Sequence, residues 1–241
     1  MSEFDGFRAL SFDCYGTLID WETGMSRVLR QWAEEVGLDV TDRHLLNLVS
    51  EIETVVQGER SPAQLYPAVL AEVLRRIGAR LGAPVSDAAA AGFGGSVGEW
   101  PAFADSAPAL SRLSQKFRLI IVSNVDRASF DESNRRPGVT FDRIITAEDV
   151  GAYKPRPPHF EALLEAVKEM SLDRSQLLHV AQSLYHDHEP ARRHGLRSAW
   201  IDRGQDRLEG GATPPPADPA IEPDWRFPTL EAFADAALSP V

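Results

Sequence analysis

The chain has 241 residues, 25 Lys+Arg against 36 Asp+Glu, a formal net charge of −11 and a 43% hydrophobic fraction. That length allows one or two domains with a large core, and the composition excludes wholesale disorder. The acidic balance argues against nucleic acid and membrane surfaces as partners, and the single cysteine, Cys14, excludes a disulfide framework and fits a cytoplasmic setting.

The acidic start, Met1 to Asp5, lacks the basic-then-apolar pattern of a secretory signal. Apolar runs such as Leu119 to Val122 are far short of a membrane span. Phe7 to Phe12 predicts a buried strand ending near Asp13, then a turn that needs Gly16. Met25, Val28, Leu29, Trp32 and Val36 recur at helical spacing, with Gly37 as the stop. Thr41 or Asp42 caps a second helix carrying Leu45, Val49, Ile52 and Val56. Ser61-Pro62 reads as a cap and first helical proline before a third helix, which runs from Leu65 through Ile77 to Leu81 and stops at Gly82. Ser86 to Val97 predicts one more short helix.

The pattern changes near Pro108. Ala109–Lys116 predicts a helix and Phe117–Val122 a buried strand. Arg143–Thr146, Leu177–Ala181 and Ser198–Ile201 predict further strands, with helices at Phe160–Met170 and Pro190–Gly195 between them. Gly204 to Pro223, with Gly210-Gly211 and Pro214-Pro215-Pro216, predicts a surface loop, and Thr229–Leu238 a closing helix. No internal repeat is present. Alternating strands and helices predict an α/β fold with a doubly wound parallel sheet. Residues 1–19 and 106–241 form its expected core, and 20–105 an inserted helical cap domain.

Ligands bind at the carboxyl ends of such strands. Those ends carry Asp13, Ser123-Asn124 and Gln182-Ser183, with Lys154 and Asp187 close behind in sequence. A lysine between two acids favours their ionised forms, so Asp13 is a candidate nucleophile and Asp187 a candidate partner for Lys154 or a water. Plainer roles compete. Asp13 and Asp187 could be helix caps, Ser123 and Asn124 turn residues, Cys14 a buried small residue and Tyr15 core. His186-Asp187-His188 does not suit a metal, because three consecutive residues cannot readily face one ion.

Phe12-Asp13-Cys14-Tyr15-Gly16-Thr17-Leu18, Val122-Ser123-Asn124, Tyr153-Lys154-Pro155 and Asp187 together resemble the four motifs of the haloacid dehalogenase superfamily. Motif order and the helical insert after the first motif match as well. The resemblance implies a Rossmann-like core with a cap, and Asp13 as nucleophile. Phosphatases of that superfamily carry a second Asp two residues after the nucleophile, as general acid, and bind Mg²⁺ with further acids. Here Tyr15 and Gln182 stand at those places, whereas Asp13-x-Tyr15-Gly16-Thr17 is similar to the type II L-2-haloacid dehalogenases. A halide leaving group needs no proton, so the missing acid is tolerable for that chemistry.

The resemblance then implies a hydrolytic dehalogenase of short 2-haloalkanoic acids, with an ester on Asp13 and no metal or cofactor. Thr17 would bond the carboxylate or oxyanion, Lys154 would stabilise the nucleophile, and Asp187 would fix Lys154 and the water. Cys14, Tyr15, Ser123, Asn124 and Ser183 would contact substrate. The chain departs from that branch at Gln182 and Leu184, where the branch has Ser-x-Asn, and in having no arginine over 45–56. Two alternatives are a phosphatase acting on a small phosphate ester and a catalytically silent binding protein on the same scaffold. The resemblance also implies a homodimer.

Overall fold

The computed structural model describes residues 3–59, 64–135, 138–204 and 213–239. Six strands form one parallel sheet: β1 Ala9–Phe12, β2 Arg118–Ser123, β3 Arg143–Thr146, β4 Leu177–Ala181, β5 Arg197–Ile201 and β6 Trp225–Phe227. Their order is β3-β2-β1-β4-β5-β6. The chain therefore moves outward from β1 to β3, then returns to the other side of β1 and continues to β6. That reversal opens a crevice at the carboxyl ends of β1 and β4, where ligands settle in such sheets.

Both sheet faces are buried, and residues alternate between them with a period of two. Leu10, Phe12, Leu119, Ile121, Leu178 and Val180 join the larger core, which includes Leu110 of α5 (Ser106–Leu113) and Phe233 of α10 (Leu230–Leu238). Ala9, Ile120, Val122 and Leu177 join the opposite core with Phe160 and Leu163 of α8 (Pro158–Glu169). Such continuous apolar strands are what a doubly covered parallel sheet requires.

Between β1 and α5 stand four helices: α1 Trp21–Glu35, α2 Asp42–Glu59, α3 Tyr66–Leu81 and α4 Asp87–Gly94. Thr41 Oγ1 accepts the His44 amide and caps α2. On α3, Val69, Leu70, Val73, Leu74 and Ile77 are buried, contributing roughly 1.5–3 kcal/mol each relative to exposure. Pro67 sits in the first turn, where its missing N–H costs nothing, and Gly82 ends the helix at φ +66°. Two antiparallel segments join this insert to the sheet. Ile19 pairs with Ala102, the Asp20 amide donates to Pro101 O at 2.8 Å, and the Phe103 amide to Leu18 O at 3.0 Å. Gly24 must be glycine there, since a Cβ would lie 2.3 Å from the Trp100 ring.

The expected element types hold, with local differences. The helix predicted over Ser86–Val97 ends at Gly94, and a single turn of 3-10 helix follows at Val97–Glu99. Gly94 backs onto Pro67 O, leaving no room for a side chain, and Gly94-Gly95 propagates a helix poorly. Helix α6 (Arg127–Asn134) and the edge strand β6 were not expected. The Ser61-Pro62 cap and Gly210-Gly211 lie outside the described residues. None of the described helices is long and apolar enough to cross a membrane.

Candidate active site

Asp13 is the first residue past β1, and its amide still bonds Val180 O at 3.1 Å, so the strand ladder fixes its backbone. The chain then folds back on itself: the Leu18 and Ile19 amides both bond Cys14 O. Gly16 supplies the reversal at φ +97°, and a Cβ there would meet Gln182 Oε1 at 3.0 Å and Trp21 Nε1 at 3.1 Å. This turn aims Thr17 back at Asp13. Thr17 Oγ1 donates to Asp13 Oδ2 at 2.8 Å and accepts the Gln182 amide at 2.9 Å, tying the β1 turn to the end of β4.

Lys154 reaches the same point from the far side of β2. Helix α7 (Ala147–Val150), started by a Thr146–Asp149 capping box and stopped by Gly151 at φ +68°, turns the chain back toward the sheet. Asn124 then clamps the lysine's backbone, accepting its N–H at 2.6 Å and donating to its C=O at 3.2 Å. The Lys154 ammonium spends its three protons on Asp13 Oδ1 at 2.9 Å, Asp187 Oδ1 at 2.7 Å and Val122 O at 2.9 Å. Asp187 lies in a wide π-type turn, Leu184–His188, just before α9 (Glu189–Arg193), with Ser183 Oγ accepting the His186 amide at its start. Its Oδ1 also accepts a bond from His179 Nε2 at 3.1 Å. A carboxylate can only accept, so Nε2 carries a proton, and Nδ1 pairs with Ser11 Oγ at 2.8 Å.

Two carboxylates and one ammonium are thus buried together, with Lys154 2%, Asp13 5% and Asp187 0% exposed. Burial pushes the Asp13 carboxyl above its ordinary value against the pull of Lys154, and Asp187 pushes it further. Burial acts on Asp187 in the same sense, but Lys154 and His179 outweigh it and hold that carboxyl well below the usual range. Burial alone would lower Lys154, yet Asp13 and Asp187 keep it charged, above its ordinary value. Asp187 is therefore a fixed anion, and Asp13 is the acid that takes up a proton first. A carboxylate offers about four lone-pair sites. Lys154 and Thr17 occupy one on each Asp13 oxygen, so lone pairs remain for attack on a bound electrophile.

The carboxyl groups open onto a cavity of about 90 Å³ between the sheet and the helical insert. Asp13, Tyr15, Asn124, Lys154, Ser183 and Asp187 line it. Cys14, Thr17 and Ser123 do not contribute to its lining. Burial pushes the Cys14 thiol well up, which keeps it neutral. Ser123 Oγ is buried with no partner among the described residues, while the Ser123 carbonyl accepts His159 Nε2 at 3.1 Å. The Tyr15 hydroxyl pairs with Ser133 Oγ at 2.8 Å on α6, and burial raises its pKa well above the ordinary value.

Sequence reasoning left out the wall supplied by the insert. Ser50, Glu53, Thr54 and Gln57 of α2 and Tyr66 of α3 face the cavity. The spacing of the α2 residues is a helical stripe, a signal present in the sequence but identical to that of a solvent face. Trp21 and His186 complete the wall with Gln182 and Thr213.

A divalent cation of the kind the phosphatase branch uses asks for several oxygen ligands in octahedral array. Among the described residues no three metal-ligating side chains converge. The Lys154 ammonium already stands between the two carboxylates, and Gln182 offers an amide in place of an acid. This donor set does not fit Mg²⁺.

A family profile described as a hydrolase, haloacid dehalogenase-like hydrolase, matches residues 7–195. No curated protein matches the chain in sequence. Among solved structures, the L-2-haloacid dehalogenase RSc1362 is similar at TM-score 0.79 and 22% identity, covering 97% of this chain and 99% of that one. The L-2-haloacid dehalogenase from Xanthobacter autotrophicus is similar at TM-score 0.78 and 18% identity, covering 98% and 100%. YfnB from Bacillus subtilis, bound to magnesium, is similar at TM-score 0.75 and 20% identity, covering 94% and 96%. At these identities the likeness is one of fold.

Proposed function

The chain belongs to the haloacid dehalogenase-like hydrolases, and from that premise we propose that it releases halide from short 2-haloalkanoic acids through an ester on Asp13. The observation that carries this reading is the pairing of an oriented, buried carboxylate with the absence of an acid two residues later. Lys154 and Thr17 hold Asp13, while Tyr15 is tied to Ser133. A leaving group that must depart unprotonated suits this arrangement, and halide is such a group.

An Asp13 oxygen attacks C2 of the substrate and the halide leaves with its electron pair, forming an aspartyl ester. Water then adds to the Asp13 carbonyl carbon, and the ester C–O bond of the aspartyl group breaks; one water proton passes to the departing alkoxide and the other to solvent, releasing a 2-hydroxy acid and restoring the carboxylate. Holding Asp13 between Lys154 and Thr17 prepays the orientation of the first step. Lys154 and Thr17 also face the oxyanion that forms in the second. Asp187, fixed by His179, keeps Lys154 charged and in place. We read residues 20–105 as the cap that shields this chemistry from water, over a core made of 1–19 and 106–241.

Halide and phosphate release are measured on one preparation, with Mg²⁺ and with excess EDTA, against an Asp13→Asn control. Halide release from chloroacetate or L-2-chloropropionate that survives EDTA and vanishes in the control is the expected result. Mg²⁺-dependent phosphate release lost with Asp13→Asn would assign the site to phosphate esters instead. Neither release, and no covalent Asp13 adduct, would mark a binding protein.

A further inference from the structure

Among the described lining residues, the cavity's charges do not balance. Asp13, Asp187 and Glu53 stand around it, and Lys154 is the one cation among its described lining residues. Lys154 is fully spent on Asp13, Asp187 and Val122 O. Glu53 comes from the opposite wall, on α2 of the insert, and its polar partners are neutral. Gln57 Nε2 donates to its Oε1 at 2.7 Å, and the Tyr66 phenol is its other polar neighbour. Both partners line the same cavity. Among the described residues no lysine or arginine pairs with Glu53.

We propose that Glu53 is a specificity determinant that receives a protonated amine, so that the substrate is a short molecule carrying an ammonium group at the end away from Asp13. A neutral amide donor orients a carboxyl as an acceptor but supplies no counter-charge. A part-buried carboxylate without one is costly, and a ligand ammonium removes the deficit while keeping the Gln57 donor in place. Burial accordingly holds Glu53 up at about 7 in the free protein. Ser50 and Thr54, on the same α2 face, offer hydroxyls for the remaining ammonium protons. Among the described residues of this wall a plain anionic ligand finds no cation. The inference rests on the Asp13 reading for the reacting end alone; the ammonium pocket is independent of which group leaves.

The test compares two ligands of matched shape that cannot react, 4-aminobutanoate and pentanoate, by calorimetry and by the fluorescence of Trp21 in the cavity wall. The expected result is at least tenfold tighter binding of 4-aminobutanoate, and a preference that falls below twofold in Glu53→Gln. Equal affinities, no detectable binding of 4-aminobutanoate, or a preference that survives Glu53→Gln would overturn the inference. The ligand comparison needs no variant, so it stands even if Glu53→Gln folds poorly. A second arm separates the two claims. Halide release from 2-chloropropionate without an amine preference sinks the ammonium pocket alone. An amine preference without halide release from 4-amino-2-chlorobutanoate sinks the dehalogenase reading alone.

Discussion

Replacing Lys154 with methionine tests the charge cluster that organises the site. The substitution keeps the stem and removes the ammonium, leaving Asp13 and Asp187 buried without the group that now sits 2.9 Å and 2.7 Å from them. Breaking a buried ion pair by removing one partner costs about 3–5 kcal/mol, chiefly because the remaining charge is uncompensated. Two carboxylates are exposed to that penalty here, so Asp13, already raised by burial, should rise further and take up a proton. A carboxyl raised on folding opposes stability above its folded pKa, and the opposition fades as pH falls toward its unfolded value. Lys154→Met should therefore be destabilised by about 3–5 kcal/mol at pH 8 and by much less near pH 5. Urea unfolding of both proteins across that range measures it. Asp13→Asn in the Lys154→Met background should recover part of the loss at pH 8. A loss below about 1 kcal/mol, or one that does not change with pH, would refute the account of three mutually dependent charges.

Three further outcomes follow from the same geometry. Thr17→Val removes the donor to Asp13 Oδ2 and strands the Gln182 amide, which should cost about 1–3 kcal/mol in a thermal melt and lower the chemical rate more than substrate affinity. Gly16→Ala forces a Cβ into φ +97° and against Gln182 and Trp21, so it should lose about 1–2 kcal/mol and disturb the Asp13 turn, visible as a drop in kcat. Because burial raises Asp13, kcat/KM should fall on the acid side with a pKa above the ordinary 3.8, and Asp187→Asn, which removes a neighbouring anion, should move that limb to lower pH.

The parts legible in the sequence are those set by local pattern. The buried strand before Asp13, the apolar stripes of α1 to α3 and the glycine stops at Gly37 and Gly82 all follow from periodicity and backbone freedom. The motif residues Asp13, Lys154, Asn124 and Asp187 meet in space because each follows a strand of one parallel sheet, and carboxyl ends of parallel strands share an edge. What escaped was either too short or too long-range. Strand β6 has three residues, too few to show alternation, and α6 is a polar eight-residue helix with only Phe130 as a large buried anchor. His179 lies inside an apolar strand, and nothing local says that its ring bridges Ser11 to Asp187. Glu53 sits on a polar stripe whose covering surface, the end of the sheet, is far away in the chain.

The central claim is that Asp13 itself enters the reaction. A single turnover with enzyme in excess, run in water enriched in heavy oxygen, tests it most directly. After halide release from L-2-chloropropionate, the account predicts a hydroxy acid without the label and a peptide containing Asp13 that has gained one heavy oxygen. Label in the product, with none on Asp13, would show that water attacks the substrate directly and would contradict the account.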